Sequence, residues 1–153
     1  MKVGIILASY KIIQDKNDLE KAKAIRLAVF VEEQGVPLED EFDQFDMLED
    51  SCQHILVYHE GEAVGTGRIR YVDDYAKLER ICMLKQYRKY GLGSVIISSL
   101  EEIAKQTGKK KYKLHAQVQA KGFYEKLGYK GVSDEFDEDG IPHLIMEKQE
   151  NEG

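Results

Sequence analysis

Apolar residues recur along this 153-residue chain with two different periods, and the switches between them mark out the elements. Residues 3–7 form a β-branched apolar run that predicts a first strand, extending towards Ile13. From Leu19 to about Glu33 the positions Leu19, Ala22, Ile25 and Val29 fall on one helical face. Asp18 is the expected N-cap, and Pro37 forbids continuation past Gln34 and Gly35. Residues 53–59 and 63–72 are two strand-like runs whose short connection, Glu60-Gly61-Glu62, predicts a hairpin. Asp73-Asp74 marks another turn before a strand over 76–84. The second amphipathic helix is clearer: Leu92, Ile96, Leu100 and Ile103 form one stripe from Gly91 to about Thr107, and Gly108 sits where a helix-ending glycine belongs. A strand over 112–118, a short helix over 119–127 stopped by Gly128, a strand opening at 129–132, an acidic loop over 133–140 and a last strand over 141–146 complete the order. It reads β-α-β-β-β-α-β-α-β-β, a mixed α/β domain over 1–148 with a polar, fraying tail over 149–153.

Composition changes this picture little. Hydrophobic residues make up 42% and charged residues 33%, as in ordinary globular domains. With 22 basic against 28 acidic residues the net charge is −6, which argues against a general nucleic-acid binder. Cys52 and Cys82 alone make no disulfide framework and fit a reducing compartment. The N-terminal apolar run is too short for a secretory signal, and no stretch reaches membrane-spanning length, so a cytoplasmic protein without a membrane partner is expected.

Two stretches invite chemistry. Residues 38–51 carry Glu39, Asp40, Glu41, Asp43, Asp46, Glu49 and Asp50 interleaved with Phe42, Phe45, Met47 and Leu48. The preferred reading is a solvated loop anchored by a few apolar residues, and the alternative is an acidic wall that attracts a cationic amine. The spacing lacks the order and central glycine of a calcium loop, and no metal is expected. The second stretch is 86–100, where Arg88 and Lys89 precede Gly91 and Gly93 at a helix start. Exposed N–H groups, the helix dipole and two cations make an anion site there, suited to phosphate. A dinucleotide fingerprint fails because Ile96 stands where its third glycine belongs, and no Walker A loop is present. What remains is R-x-x-G-x-G between a strand and a helix.

This motif and the order of elements resemble the GNAT superfamily of N-acetyltransferases over nearly the whole chain. Gly122-Phe123-Tyr124 followed by Leu127-Gly128-Tyr129 is a second mark of that family. Residues 30–37, 78–82 and 139–143 are similar to the ElaA-like and YjcF-like bacterial acetyltransferases. The resemblance implies a mostly antiparallel sheet flanked by helices, with a splayed parallel strand pair holding acetyl-CoA as cosubstrate. It implies that Arg88, Lys89, Tyr90, Gly91, Leu92, Gly93 and Ser94 cradle the CoA pyrophosphate, chiefly through backbone N–H groups. Backbone at Ile81, Cys82 and Met83 would hold the pantetheine arm and the thioester oxygen, an oxyanion-type stabilisation. Many members place an asparagine at the start of the next helix. Here that region is Gln117-Val118-Gln119-Ala120, which makes Gln119 the candidate contact.

The family position makes Tyr124 the general acid for the leaving thiolate. Glu79 is the candidate base, because strand alternation places it on the face of Ile81; a salt bridge to Arg80 or Arg68 is the competing use of its carboxylate. Glu33 is the rival base at the acceptor side, with His143 and His54 behind it. Cys82 reads as a small buried residue rather than a nucleophile for a ping-pong route, since no histidine adjoins it. The expected reaction is direct acetyl transfer to a primary amine of a small molecule or peptide. A CoA-binding sensor or interaction module that has lost turnover is the other class. The exposed edge strands of such a fold are the route by which a homodimer would form.

Overall fold

A computed structural model describes residues 8–48 and 52–150. The elements are β1 (Ala8–Ile12), α1 (Lys16–Arg26) continued by a π-helical segment (Leu27–Glu33), α2 (Leu38–Glu41), β2 (Cys52–His59), β3 (Glu62–Val72), β4 (Tyr75–Met83), a 3-10 segment (Lys85–Tyr90), α3 (Leu92–Gln106), β5 (Lys111–Gln117), a 3-10 turn (Val118–Ala120), α4 (Lys121–Lys126), β6 (Lys130–Gly131), β7 (Phe136–Glu138) and β8 (Ile141–Gln149). They form one eight-stranded sheet in the order β1-β2-β3-β4-β5-β8-β6, with β7 also paired to β8. Every pairing is antiparallel except β4 with β5. The mixed, mostly antiparallel sheet with one parallel pair is the expected architecture.

Both faces of the sheet are covered, which explains the unbroken apolar run in β2. Ile55 and Val57 face α3, whose Leu92, Ile96, Leu100 and Ile103 fill the larger core. Leu56 faces the other way, onto Leu19, Ala22, Ile25 and Val29 of the first helix. Full burial of each such side chain contributes about 1.5–3 kcal/mol.

Several boundaries differ from the sequence reading, each for a physical reason. The run 3–7 lies outside the described residues, and β1 starts at Ala8. Asp15, not Asp18, caps α1, accepting from the N–H of Asp18, while the Asp18 carboxylate pairs with Lys11 at 2.6 Å. The first helix turns π-helical at Leu27, with the N–H of Gln34 donating to the Val29 carbonyl at 3.0 Å. The expected loop over 133–140 contains β7, whose Phe136 is the register partner of His143 on β8. The expected tail starts too early, because Gln149 pairs with Lys111 and closes β8.

Candidate active site

β4 and β5 are paired from Tyr75 with Lys111 to Leu78 with Leu114, and no further. Past that point the strands diverge. The cause lies at Arg80, which takes a left-handed conformation at φ 56°. Against β3 the register slips there: Thr66 pairs with Cys82 but Arg68 pairs with Glu79. One extra residue in β4 is a bulge, and a bulge bends its strand. On β3 opposite it, a Cβ at Gly67 would meet Ile96 and Leu100 at 3.0 Å each, so the sheet presses close to α3 here.

The bulge also resets the faces. Cys82 and Glu79 both point to the α1 side, while Ile81 turns to α3, beside Gly67. Strand alternation therefore fails as a reason to place Glu79 with Ile81. The same logic sorts the backbone. The N–H of Leu84 donates to Val64 on β3, so those of Met83 and Ile81 point into the fork and that of Cys82 points to β3.

The fork opens into a cleft of about 510 Å³. Its walls include Ile81, Cys82, Met83 and Arg88 on one side and His115, Gln117, Tyr124 and His143 on the other. Next to the fork, Gly91 takes φ 71° and turns the chain from the 3-10 segment into α3. Any other L-residue in that left-handed conformation costs about 1–2 kcal/mol. The free N–H groups of the first turn of α3 face outward at this point. Gly93 leaves room for Phe123, whose Cζ would lie 3.1 Å from an added Cβ, so α4 rests on the loop.

The side chains of this loop behave differently from the simple cationic site that the sequence suggested. Arg88 is committed: it grips Glu33 through two bonds of 2.6 and 2.7 Å and donates from Nε to the Met83 carbonyl at 3.1 Å. Its charge is neutralised, and it ties the end of the first helix to the end of β4. Glu33 is thereby a latch partner. Lys89 and Tyr90 are exposed, with Tyr90 stacked on His59 at 4.4 Å. Leu92 is core and offers the site only its backbone. Ser94 donates to the Gly91 carbonyl at 2.9 Å. Gln119 is exposed outside the cleft wall and donates to Gln117, which in turn donates to Gln34 across the mouth at 2.8 Å.

Tyr124 is 8% exposed at the cleft wall, edge-on to Phe123 and Tyr129. Burial pushes its phenol up to about 12. Burial likewise pushes the Cys82 thiol well above the ordinary cysteine range, which leaves it inert.

The α1 side of the cleft is ionic. Glu79 accepts from Arg68 at 2.9 Å, from Arg70 at 2.9 and 3.0 Å, and from Lys77 at 3.0 Å. Burial opposes its ionisation, but the Arg70 hydrogen bonds and the charges of Arg68 and Lys77 outweigh that and hold the carboxyl at about 2. Such a group takes no proton at neutral pH. Of its two foreseen partners Arg68 is present, whereas Arg80 pairs with Glu41 and Asp43.

Over its described residues, 38–48, the acidic stretch is only partly solvated: Glu39 and Asp40 are exposed, but Glu41, Asp43 and Asp46 are committed to arginines. Glu41 and Asp46 are buried against Arg26, and Asp43 and Asp46 take Arg68. Phe42 lies under the Arg26 guanidinium and Phe45 under that of Arg70. His54 is 3.0 Å from the Phe45 carbonyl and is a buried strut of this wall.

One group escaped the sequence reading. His115, on β5 just beyond the last paired residue, has Nδ1 2.8 Å from Glu138 Oε1 on β7. His143 adjoins them, with Nε2 3.8 Å from Glu138 Oε2 and Nδ1 2.7 Å from the Ile141 carbonyl. The signal that could have found β7 is Asp139-Gly140, a hairpin dipeptide whose φ values here are 55° and 79°. Among the described residues no cluster of acids, histidines and cysteines suits a metal ion.

Comparison with known proteins places this geometry. The acetyltransferase (GNAT) domain model matches residues 17–150. The chain is 61% identical to the uncharacterized protein YyaT of Bacillus subtilis over 139 residues, covering 91% of this chain and 94% of that one. It is 46% identical to the uncharacterized N-acetyltransferase YjcF of the same organism over 138 residues, covering 90% and 96%. The crystal structure of Escherichia coli ElaA superimposes with a TM-score of 0.81 at 28% identity, covering 93% and 99%. A strand pair forked by a bulge, with a glycine turn opening a helix beside it, is thus found in a chain that belongs to the GNAT acetyltransferase family, as an acyltransferase related to ElaA and YjcF that draws on acyl-CoA.

Proposed function

We propose that this protein transfers an acetyl group from acetyl-CoA to a primary amine by direct attack within a ternary complex. The observation that carries this reading is the fork beyond Leu78 and Leu114, held open by the Arg80 bulge and walled by Tyr124. The thioester arm fits between β4 and β5, where the unpaired N–H groups of Ile81 and Met83 replace the missing ladder partners. Hydrogen bonds there to the carbonyl oxygen strengthen as it gains charge. The pyrophosphate fits the first turn of α3, whose free N–H groups and dipole favour an anion.

Tyr124 supplies the proton to the departing thiolate. Its raised affinity keeps it protonated until that moment, and the same desolvation raises the basicity of a thiolate forming beside it. Cys82 is buried and its thiol is held protonated, which supports direct attack over an acyl-enzyme route. A reducing, cytoplasmic setting suits the two free cysteines.

The test is thiol release from acetyl-CoA across a panel of primary amines, beside calorimetry with CoA alone. Amine-dependent release together with CoA binding supports transfer. Binding without release on any amine points instead to a sensor on the same fold.

A further inference from the structure

We propose that His115 is the general base that takes the proton from the attacking amine, with Glu138 as its positioning residue. This rests on the transfer reading above and assigns the role for which Glu79, tied to Arg68, Arg70 and Lys77, is not free.

The placement comes first. On β5 the side chains of Tyr112, Leu114 and Ala116 are buried towards α3, so alternation turns His115 and Gln117 to the opposite face and into the cleft. His115 follows Leu114, the last residue paired to β4, and therefore stands at the base of the fork. Tyr124 lines the same cleft. The acid and the base would then flank the point where the thioester enters.

The tautomer comes second. Glu138 is a carboxylate held below its ordinary range, first by the hydrogen bond from His115. A carboxylate only accepts, so Nδ1 of His115 carries the hydrogen and donates at 2.8 Å. Nε2 is left with its lone pair. The Phe136 ring packs edge-on against His115 at 5.4 Å and stacks on His143 at 6.2 Å. β7 thus supplies both the carboxylate that orients the imidazole and the ring that fixes its plane. A histidine held by a carboxylate through one nitrogen, with the other nitrogen open to a cleft, is the arrangement that base catalysis requires.

The step balances. The neutral amine attacks the carbonyl carbon, forming the C–N bond, and gives one proton to Nε2 of His115. The C–S bond breaks, its electron pair stays on sulfur, and the thiolate takes the Tyr124 proton. Solvent returns the proton from His115 to Tyr124. The products are an N-acetyl amide and CoA thiol.

The experiment measures kcat/KM against pH for an amine that the wild-type protein acetylates, with acetyl-CoA affinity measured in parallel by calorimetry. Besides Cys82 and Tyr124, the charged and titratable groups that line the cleft with His115 are Glu138 on β7, His143 on β8, Arg68 and Arg70 on β3, Lys77, Glu79 and Arg80 on β4, Asp40 and Glu41 on α2, Asp43 after it, Arg88 on the 3-10 segment and Asp139 at the β7–β8 turn; His143 is the other imidazole among them, so His143→Gln serves as the control. His115→Gln should lower kcat/KM about 100-fold or more and remove the fall in rate on the acidic side, with acetyl-CoA affinity within twofold. Glu138→Gln should cause a smaller loss and displace that limb. His115→Ala should recover rate on addition of imidazole. Wild-type rate or an unaltered acidic limb in His115→Gln overturns the base assignment while leaving the transfer reading intact. Loss of the limb in His143→Gln instead moves the role to His143. If the wild-type protein releases no thiol with any amine, the transfer reading fails, and the assignment fails with it. A His115→Gln protein that no longer binds acetyl-CoA also overturns the assignment, as His115 would then be structural.

Discussion

The ionic face of the sheet makes a demanding prediction at Asp46. Its carboxylate accepts from Arg26 on α1 and Arg68 on β3, and also from the N–H of Asp43 at 2.8 Å. Asp46→Asn preserves the shape and removes the charge. One of the two oxygens becomes an NH2 that faces donors, so an arginine is left buried against another donor. Breaking a buried ion pair on one side costs about 3–5 kcal/mol. For a domain of this size that lowers the melting temperature by roughly 6–20 °C. The pH dependence gives a second handle. Burial disfavours the charged form of Asp46, but the Arg26 bonds and charge prevail and lower it from an ordinary 3.8 to about 2. A carboxyl with a lower value folded than unfolded stabilises above pH 3.8 and loses that contribution as pH falls towards 2, an amount of about 2–3 kcal/mol. The variant should therefore show a flatter stability curve across that window. Urea unfolding at pH 7 and at steps down to pH 2, followed by far-UV circular dichroism, reads both effects. A variant within 1 kcal/mol of wild type at pH 7, with an unchanged acid slope, would refute the claim that this network carries the 38–48 segment.

Three further outcomes follow from the same structure. Tyr124→Phe should lower kcat about 10²- to 10⁴-fold with acetyl-CoA affinity within twofold; unchanged turnover in the thiol-release assay would remove Tyr124 as the acid. Glu79→Gln should leave the shape of the kcat/KM pH profile intact while costing several kcal/mol in thermal unfolding, since Arg68, Arg70 and Lys77 lose their shared anion; a vanished limb in the profile would restore Glu79 as a base. Gly67→Ala should destabilise by about 1–3 kcal/mol, because its methyl would press on Ile96 and Leu100 at 3.0 Å each; a melting point unchanged within 1 °C would show that α3 yields freely there.

The glycine turn that opens α3 was legible because its requirements are local. An N–H cradle needs a glycine turn directly before a helix, and Arg88 to Ser94 contain both within seven residues. The helix periodicity of Leu92, Ile96, Leu100 and Ile103 was equally self-contained. What a single residue range cannot carry is a one-residue register slip. Arg80 looks like any strand arginine, and the hint stood on the facing strand, in Gly65 and Gly67. The slip alone decided that Glu79 leaves the face of Ile81. The acidic stretch was misread for a similar reason: Glu41, Asp43 and Asp46 are answered by Arg26 and Arg68, which lie 20 and 22 residues from Asp46 in opposite directions.

The two faces of the sheet also explain why an inert carboxylate and a free imidazole sit in one cleft. The α3 face is an apolar core, and the fork beside it has its wall on the α1 side, where the amine of the proposed reaction would approach. A wall of buried apolar side chains would leave that amine without polar company. A network of paired charges keeps the wall polar, but each pair must stay complete to offset its desolvation. Glu79 is therefore held by three cations, which keep its carboxyl at about 2. His115 is tied at one nitrogen to a single carboxylate on a three-residue strand, so its other nitrogen stays open to the cleft. The reactive group in such a wall is the one whose hydrogen bonding is left half complete, and among the charged side chains around this fork that description fits His115 better than Glu79.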